Sequence, residues 1–232
     1  LYIIPVEAAA RDGAQLDQPL VVALKTRDPE GFSGALEPDR VVSRGPDEIV
    51  VQLTGYPGRQ SGAPASWSEA SFLVDFDHAD VVALLDDGLS MLGPDPTTEE
   101  WMQFTHDRVD EKGGAGFEIA SQVARRRVGD CTEHAVLFTA LSRGSGTPTR
   151  VAVGVVLVEV DDGIGAFGHA WAEVWEDDAW VPRDPTLLDQ LPILAHIPYG
   201  VISDEGPAYS FSLFEVMGRA VTGVRVLGPD RS

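Results

Sequence analysis

The chain holds one cysteine in 232 residues, Cys131, within Gly129-Asp130-Cys131-Thr132-Glu133-His134-Ala135. A thiol acts as a nucleophile only as the thiolate, so the question is what would stabilise negative charge there. An apolar run follows: Val136, Leu137, Phe138, then Ala140 and Leu141. It closes at Arg143 and Gly144 and reads as a buried helix. Asp130 suits the N-cap and Glu133 the third helical position, a capping box with Asp in place of Ser or Thr. Cys131 is then the first helical residue. Free backbone N–H groups and the positive end of the helix dipole favour an anion at that position. The carboxylate of Asp130 works against it, so a partner imidazole is needed. The competing reading is a small, inert, buried residue at a helix start.

Two further residues supply what the thiol needs. His169, Trp171, Glu173 and Trp175 alternate with Ala170, Ala172 and Val174, so the first four share one face of a strand. If Asp177 and Asp178 form a two-residue turn, the register pairs Trp175 with Trp180, Val174 with Val181 and Trp171 with Asp184. Directly opposed residues share a face, which makes His169 and Asp184 diagonal neighbours. A slip of one residue would put Asp184 on the other face. A bulge or edge position is possible at Pro182, which cannot donate in the ladder. Thiol, imidazole and carboxylate together suit acyl transfer. Cys131 attacks, His169 moves the proton, and Asp184 orients the imidazole. The N–H of Cys131 is a candidate oxyanion donor.

These residues require a scaffold, and the chain predicts one. Leu20–Leu24, Arg40–Ser43 and Glu48–Leu53 are short β-type runs, the last two flanking a turn at residues 44–47. Gly55–Ser66 is rich in Gly, Pro and Ser and marks a boundary. This predicts a β-rich accessory segment over 1–66 and a catalytic domain over 67–232. Ser71–Phe76 is expected as another strand. Ala79–Leu92 has helical spacing, and Thr97 with Glu100 opens a second capped helix carrying Trp101, Phe104 and Val109. Trp101 and His106 read as scaffold. A loop over Gly113–Gly116 and a short helix over Phe117–Val123 follow. Thr149–Val160 reads as a buried central strand, 179–184 as its hairpin partner's return. Phe211–Met217 suits a helix and Ala220–Leu227 a last strand.

The composition is globular, with 44% hydrophobic and 23% charged residues. A net charge of −20 argues against a nucleic-acid partner and against electrostatic binding to anionic membranes. No run is long enough to span a bilayer. One cysteine excludes an internal disulfide framework. The first residue, Leu1, is consistent with a trimmed N-terminus, so cytoplasmic and exported locations both stay open.

Three blocks, Gly-Asp-Cys-Thr-Glu-His-Ala at 129–135, Gly-His-Ala-Trp-Ala-Glu-Val-Trp at 168–175 and Asp-Pro-Thr at 184–186, resemble the core of the transglutaminase-like superfamily. The order Cys, His, Asp matches, and the likeness is to bacterial-type members. The resemblance covers about residues 70–200. It implies an α+β, papain-like fold: a helix bearing Cys131 packed on an antiparallel sheet bearing His169 and Asp184. It also implies those three as a catalytic triad, and thiol chemistry on amide bonds of protein or peptide substrates. No cofactor or metal is required, and the oligomeric state is left open.

Other residues carry weaker readings. Trp171 and Glu173 share the face of His169 and are candidates to line a substrate cleft. His134 lies one turn along from Cys131, with helix packing as the alternative. Arg125-Arg126-Arg127 could provide a positive field near the thiol or simply close a helix. The pairs Asp161-Asp162 and Asp177-Asp178 could hold calcium, yet suit solvated turns better, since no EF-hand spacing is present. A zinc site from Cys131, His169 and Asp184 lacks the short ligand spacings such sites use. The opposing functional class is a binding module that keeps the fold without turnover.

Overall fold

The computed structural model describes residues 2–7, 16, 18–60, 62–63, 65–111, 117–160, 163–192, 195–217 and 220–229. The expected Gly113–Gly116 loop falls outside them, as do Leu1 and the Asp161-Asp162 pair. In chain order the elements are β1 (Tyr2–Ile4), β2 (Leu20–Thr26), α1 (Pro29–Gly34), β3 (Val41–Arg44), β4 (Glu48–Leu53), α2 (Ala79–Leu92) and α3 (Thr98–Arg108). Then come β5 (Asp110–Glu111), α4 (Ala120–Arg126), β6 (Val128–Gly129), α5 (Cys131–Gly144), β7 (Thr149–Val160) and β8 (Gly163–Glu176). The chain finishes with β9 (Ala179–Arg183), β10 (His196–Val201), α6 (Tyr209–Met217) and β11 (Val221–Pro229).

The fold is α+β. Its main sheet is antiparallel and centred on β8, with β7 along one edge and β10 beyond β7. Two strands share the other edge of β8. β1 pairs with residues 166–168 and β9 with residues 172–176, so His169, Ala170 and Trp171 lie between the two. The β8–β9 hairpin has the expected register, Trp175 opposite Trp180 and Val174 opposite Val181. Its turn residues Asp177 and Asp178 have φ of 48° and 62°, the left-handed pair that matches strand twist in a two-residue turn.

Alternation on β7 and β8 sorts the sheet into two faces. Val151, Val153 and Val155 with Ala170, Ala172 and Val174 join the main core, which also holds Ala135, Val136, Leu137, Phe138, Ala140 and Leu141 of α5. Ala152, Val156 and Trp171 form a smaller cluster of the opposite parity, with Tyr56, Phe167 and Leu187 against it. Each buried Val, Leu or Phe contributes about 1.5–3 kcal/mol relative to exposure, so the run after Cys131 fixes α5 firmly. The charged end of α5 is satisfied within the core. The Arg143 guanidinium donates to both oxygens of Glu205, at 2.8 and 2.7 Å, and to the Thr149 carbonyl at 2.8 Å.

A second antiparallel sheet has the order β11-β2-β4-β3. The boundary expected at residue 66 is therefore crossed in both directions. β1, from before it, pairs in the main sheet, while β11, from the far end of the chain, completes the second. Ser71–Phe76 is not a strand. The Ser71 hydroxyl accepts the Val74 N–H at 2.9 Å, and the Leu73 N–H goes to the Glu205 carbonyl, so local turn chemistry replaces a ladder. The helix expected over Phe117–Val123 begins later, at Ala120, with Ile119 as its N-cap.

Candidate active site

Cys131 opens α5, and the capping box forms in full. The Asp130 carboxylate accepts the Thr132 N–H at 3.1 Å, and Glu133 accepts the Asp130 N–H at 2.9 Å. Glu133 is fully buried, and its second oxygen accepts the Glu118 N–H at 3.2 Å. Burial, helped by the charge of Asp130, raises its pKa although the backbone hydrogen bonds oppose this. Gly129 is required here, because a Cβ at that position would sit 2.2 Å from the Glu133 Cβ. The Gly-Asp-Cys sequence thus places the thiol at a rigid helix start, 7% exposed.

His169 projects from the stretch of β8 between β1 and β9. Its Nε2 lies 2.7 Å from Asp184 Oδ2, and both residues are buried. Asp184 accepts at both oxygens. Oδ1 takes the backbone N–H groups of Thr186 at 3.0 Å and Leu187 at 3.1 Å, while Oδ2 takes His169 and also His196 Nε2 at 3.1 Å. Burial opposes the charge on Asp184, but the charge of His169 and the hydrogen bonds from His169 and His196 outweigh it. The carboxyl is held well below the usual range. Burial likewise opposes charge on His169. The Asp184 carboxylate and its hydrogen bond win, with Cys131 adding to the effect, and the imidazole is pushed up to about 10.

The two imidazole nitrogens therefore have different surroundings. Nε2 is committed to the carboxylate. Nδ1 is buried without a hydrogen-bond partner, and the Cys131 side chain is near enough to act on the ring. An imidazole held this way can take a thiol proton at Nδ1 while its charge is stabilised from behind at Nε2.

The pair also predicts how stability depends on pH. The folded pKa of His169 lies above the ordinary value of about 6.5, so its contribution is complete below that pH and is lost as pH rises toward about 10. Asp184 is depressed, so its contribution is present above the unfolded value of about 3.9 and is lost on acidification through the folded value. The pair stabilises most between pH about 4 and 6.5. Urea unfolding at several pH values should show the margin of the native chain over His169→Gln shrinking from pH 6.5 to 10. A margin constant across that interval would contradict the charged pair.

The other sequence candidates fall elsewhere. Trp171 is fully buried, its indole N–H donating to the Tyr56 hydroxyl at 3.2 Å, and its ring stacks beside His169 at 6.3 Å. Glu173 borders a cavity with Arg59, Arg150 and Pro198, one that Cys131 and His169 do not line. Glu173 is 1% exposed, accepts the Tyr56 hydroxyl and pairs with the buried Arg150 guanidinium, which consumes both oxygens. Same-face alternation placed it beside His169, but the chain after β4 covers that face. His134 bonds the Asp130 carbonyl through Nδ1 at 2.8 Å, and His106 the Pro185 carbonyl at 3.0 Å. Arg125 pairs with Asp80 and Arg126 with Glu118, while Arg127 closes α4 in the left-handed region at φ 55°. Asp177 and Asp178 are the hairpin turn. Among the described residues, no group of three or more His, Cys, Asp or Glu is arranged to hold a metal ion.

Residues 99–185 match the family described as the transglutaminase-like superfamily. Over these residues the chain is similar to a transglutaminase-like core. A solved structure from Cytophaga hutchinsonii, assigned provisionally as a cysteine protease, aligns over 93% of this chain and 88% of its own, with 13% identity and a TM-score of 0.51. That likeness extends the shared fold across both sheets. The periplasmic domain of TgpA from Pseudomonas aeruginosa aligns over 60% of this chain and 53% of its own length, with 19% identity and a TM-score of 0.41. No curated protein matches the chain. Cys131, His169 and Asp184 all lie within the matched residues. His196 lies beyond them, on β10. Sequence reasoning missed His196 because the pattern after Leu187 is weak, and no spacing links it to the three blocks.

Proposed function

We propose that the chain is a thiol-dependent amide-bond hydrolase or acyltransferase that acts on protein or peptide substrates through a Cys131 thioester. One observation carries this reading: His169 is anchored to Asp184 through Nε2 at 2.7 Å, its buried Nδ1 has no hydrogen bond, and Cys131 at the start of α5 acts on the same ring. In the first half-reaction the thiol proton passes to Nδ1 and the sulfur adds to the amide carbon. The oxyanion meets the N–H of Cys131. The tetrahedral species collapses as Nδ1 gives its proton to the departing amine, leaving the acyl group on sulfur. In the second half, water or a primary amine attacks the thioester. His169 takes the proton from the attacking group and returns it to sulfur, releasing an acid or a new amide. No step requires a metal or organic cofactor.

The intact arrangement favours this over a binding module without turnover. Incubation with a library of glutamine-containing peptides, followed by peptide mapping, should place the acyl mass on Cys131. Added primary amine then distinguishes transfer from hydrolysis. Absence of any acyl mass on Cys131, with the thiol also inert to iodoacetamide, would favour the binding module.

A further inference from the structure

His196 is a buried imidazole that the reaction above does not use, and its placement is specific. β10 pairs with β7, putting His196 opposite Val156 and Pro198 opposite Gly154, while Gly154 is also opposite His169 across the other edge of β7. His169 and His196 therefore sit on the same face of the sheet with one strand between them. Two imidazoles so placed converge because the intervening position has no side chain. A Cβ on Gly154 would lie 2.6 Å from the Trp171 ring and 2.2 Å from the Ile197 carbonyl oxygen. The indole of Trp171 fits beside that glycine, stacked by His169 and edge-on to His196 at 5.1 Å.

Both imidazoles end on the same oxygen of Asp184, at 2.7 and 3.1 Å. An ionised carboxylate only accepts, so each Nε2 carries a hydrogen. With the two backbone N–H groups on Oδ1, four donors hold the carboxylate from two sides. The backbone pair alone fixes one oxygen and leaves the other to His169. We propose that His196 is a positioning residue for Asp184, holding the oxygen that anchors His169 so that the carboxylate cannot turn away from the base. This rests on the reading of Cys131, His169 and Asp184 as thiol, base and orienting acid.

The titratable groups that face this centre are Cys131 from α5, Asp184 after β9, His196 from β10 and His106 from α3 at the Pro185 carbonyl. Tyr56, after β4, reaches it through Trp171. Without the donor at 196, the carboxylate can shift and its hold on the His169 proton weakens. His196→Phe keeps a ring but no donor. His196→Gln offers an amide N–H at a similar reach.

The test follows the ring nitrogens of His169 by NMR in chain labelled with nitrogen-15 at histidine, from pH 6 to 11. In His196→Phe the midpoint for loss of the His169 proton should fall by roughly one pH unit, the scale of one hydrogen bond to an ionised group. His196→Gln should restore most of the shift. A midpoint unchanged in folded His196→Phe would overturn the proposal, because filling space would then be the residue's whole role. In the native chain, the same spectra should show His196 with its hydrogen on Nε2. Finding Nε2 bare would overturn the proposal even if neither variant folds. Failure of the underlying triad reading is seen separately, as iodoacetamide alkylation of Cys131 at the rate of a free thiol and unaltered by His169→Ala.

Discussion

Cys131→Ala is expected to abolish acyl labelling and reduce turnover by about a million-fold, the scale on which loss of a nucleophile removes a whole catalytic unit. The fold should survive. Alanine is the best helix former, and the N-terminal cap depends on Asp130 and Glu133 rather than on the thiol. The substitution removes one sulfur atom at a site already 7% exposed. Its cost in stability is therefore on the order of 1 kcal/mol, within the ordinary range for one residue. The measurement is paired: peptide turnover with mass analysis of the labelled chain, and a thermal melt. Wild-type turnover in the Ala variant on every accepted amide would remove the thioester mechanism. A collapsed melt would instead mean that Cys131 serves packing.

Asp184→Asn should lower turnover by about ten-thousand-fold, the loss seen when an orienting acid becomes an amide. The hydrogen-bond inventory makes the physical reason specific. Asp184 accepts four N–H donors, two from imidazoles on Oδ2 and two from the backbone on Oδ1. Asparagine has one acceptor oxygen, and its amide nitrogen is itself a donor. If the oxygen faces the backbone pair, the NH2 opposes both imidazoles and forces His169 to turn its lone pair to residue 184. The hydrogen then moves to Nδ1, where a thiol proton can no longer be accepted. If the oxygen faces the imidazoles, two buried backbone N–H groups are left opposing a donor, at about 1–3 kcal/mol each. Either way the negative charge behind His169 is gone. The readouts are turnover in a correctly folded variant and the hydrogen position on His169 by NMR. Full activity in folded Asp184→Asn would take Asp184 out of the site.

The thiol helix and the hairpin were legible because their causes are local. Asp130, Glu133 and the apolar run after Cys131 specify a capped, buried helix whatever surrounds it, and α5 spans Cys131–Gly144 as that pattern implies. Asp177 and Asp178 adopt the consecutive left-handed conformations of a two-residue hairpin turn. That fixes the register and brings Asp184 to His169. Where the local signal was ambiguous, the reading failed. Ser71–Phe76 has strand-like residues, but Ser71 captures the Val74 N–H and the segment bends. Glu173 has the parity to share a face with His169, and what parity does not say is that Tyr56 and Arg150 take both of its oxygens.

The sequence by itself determined the helix that presents Cys131, the alternation that puts His169 and Trp171 on one face, and the turn that returns Asp184. All three follow from capping, a period of two and turn geometry, which act over a few residues. Only the tertiary structure decided that β10 lies beside β7, that Gly154 leaves room for Trp171, and that His196 joins His169 on one carboxylate oxygen. It also decided that β1 and β11 exchange between the two sheets. Pairings between strands far apart in sequence are set by how whole faces fill space, and no short pattern encodes them.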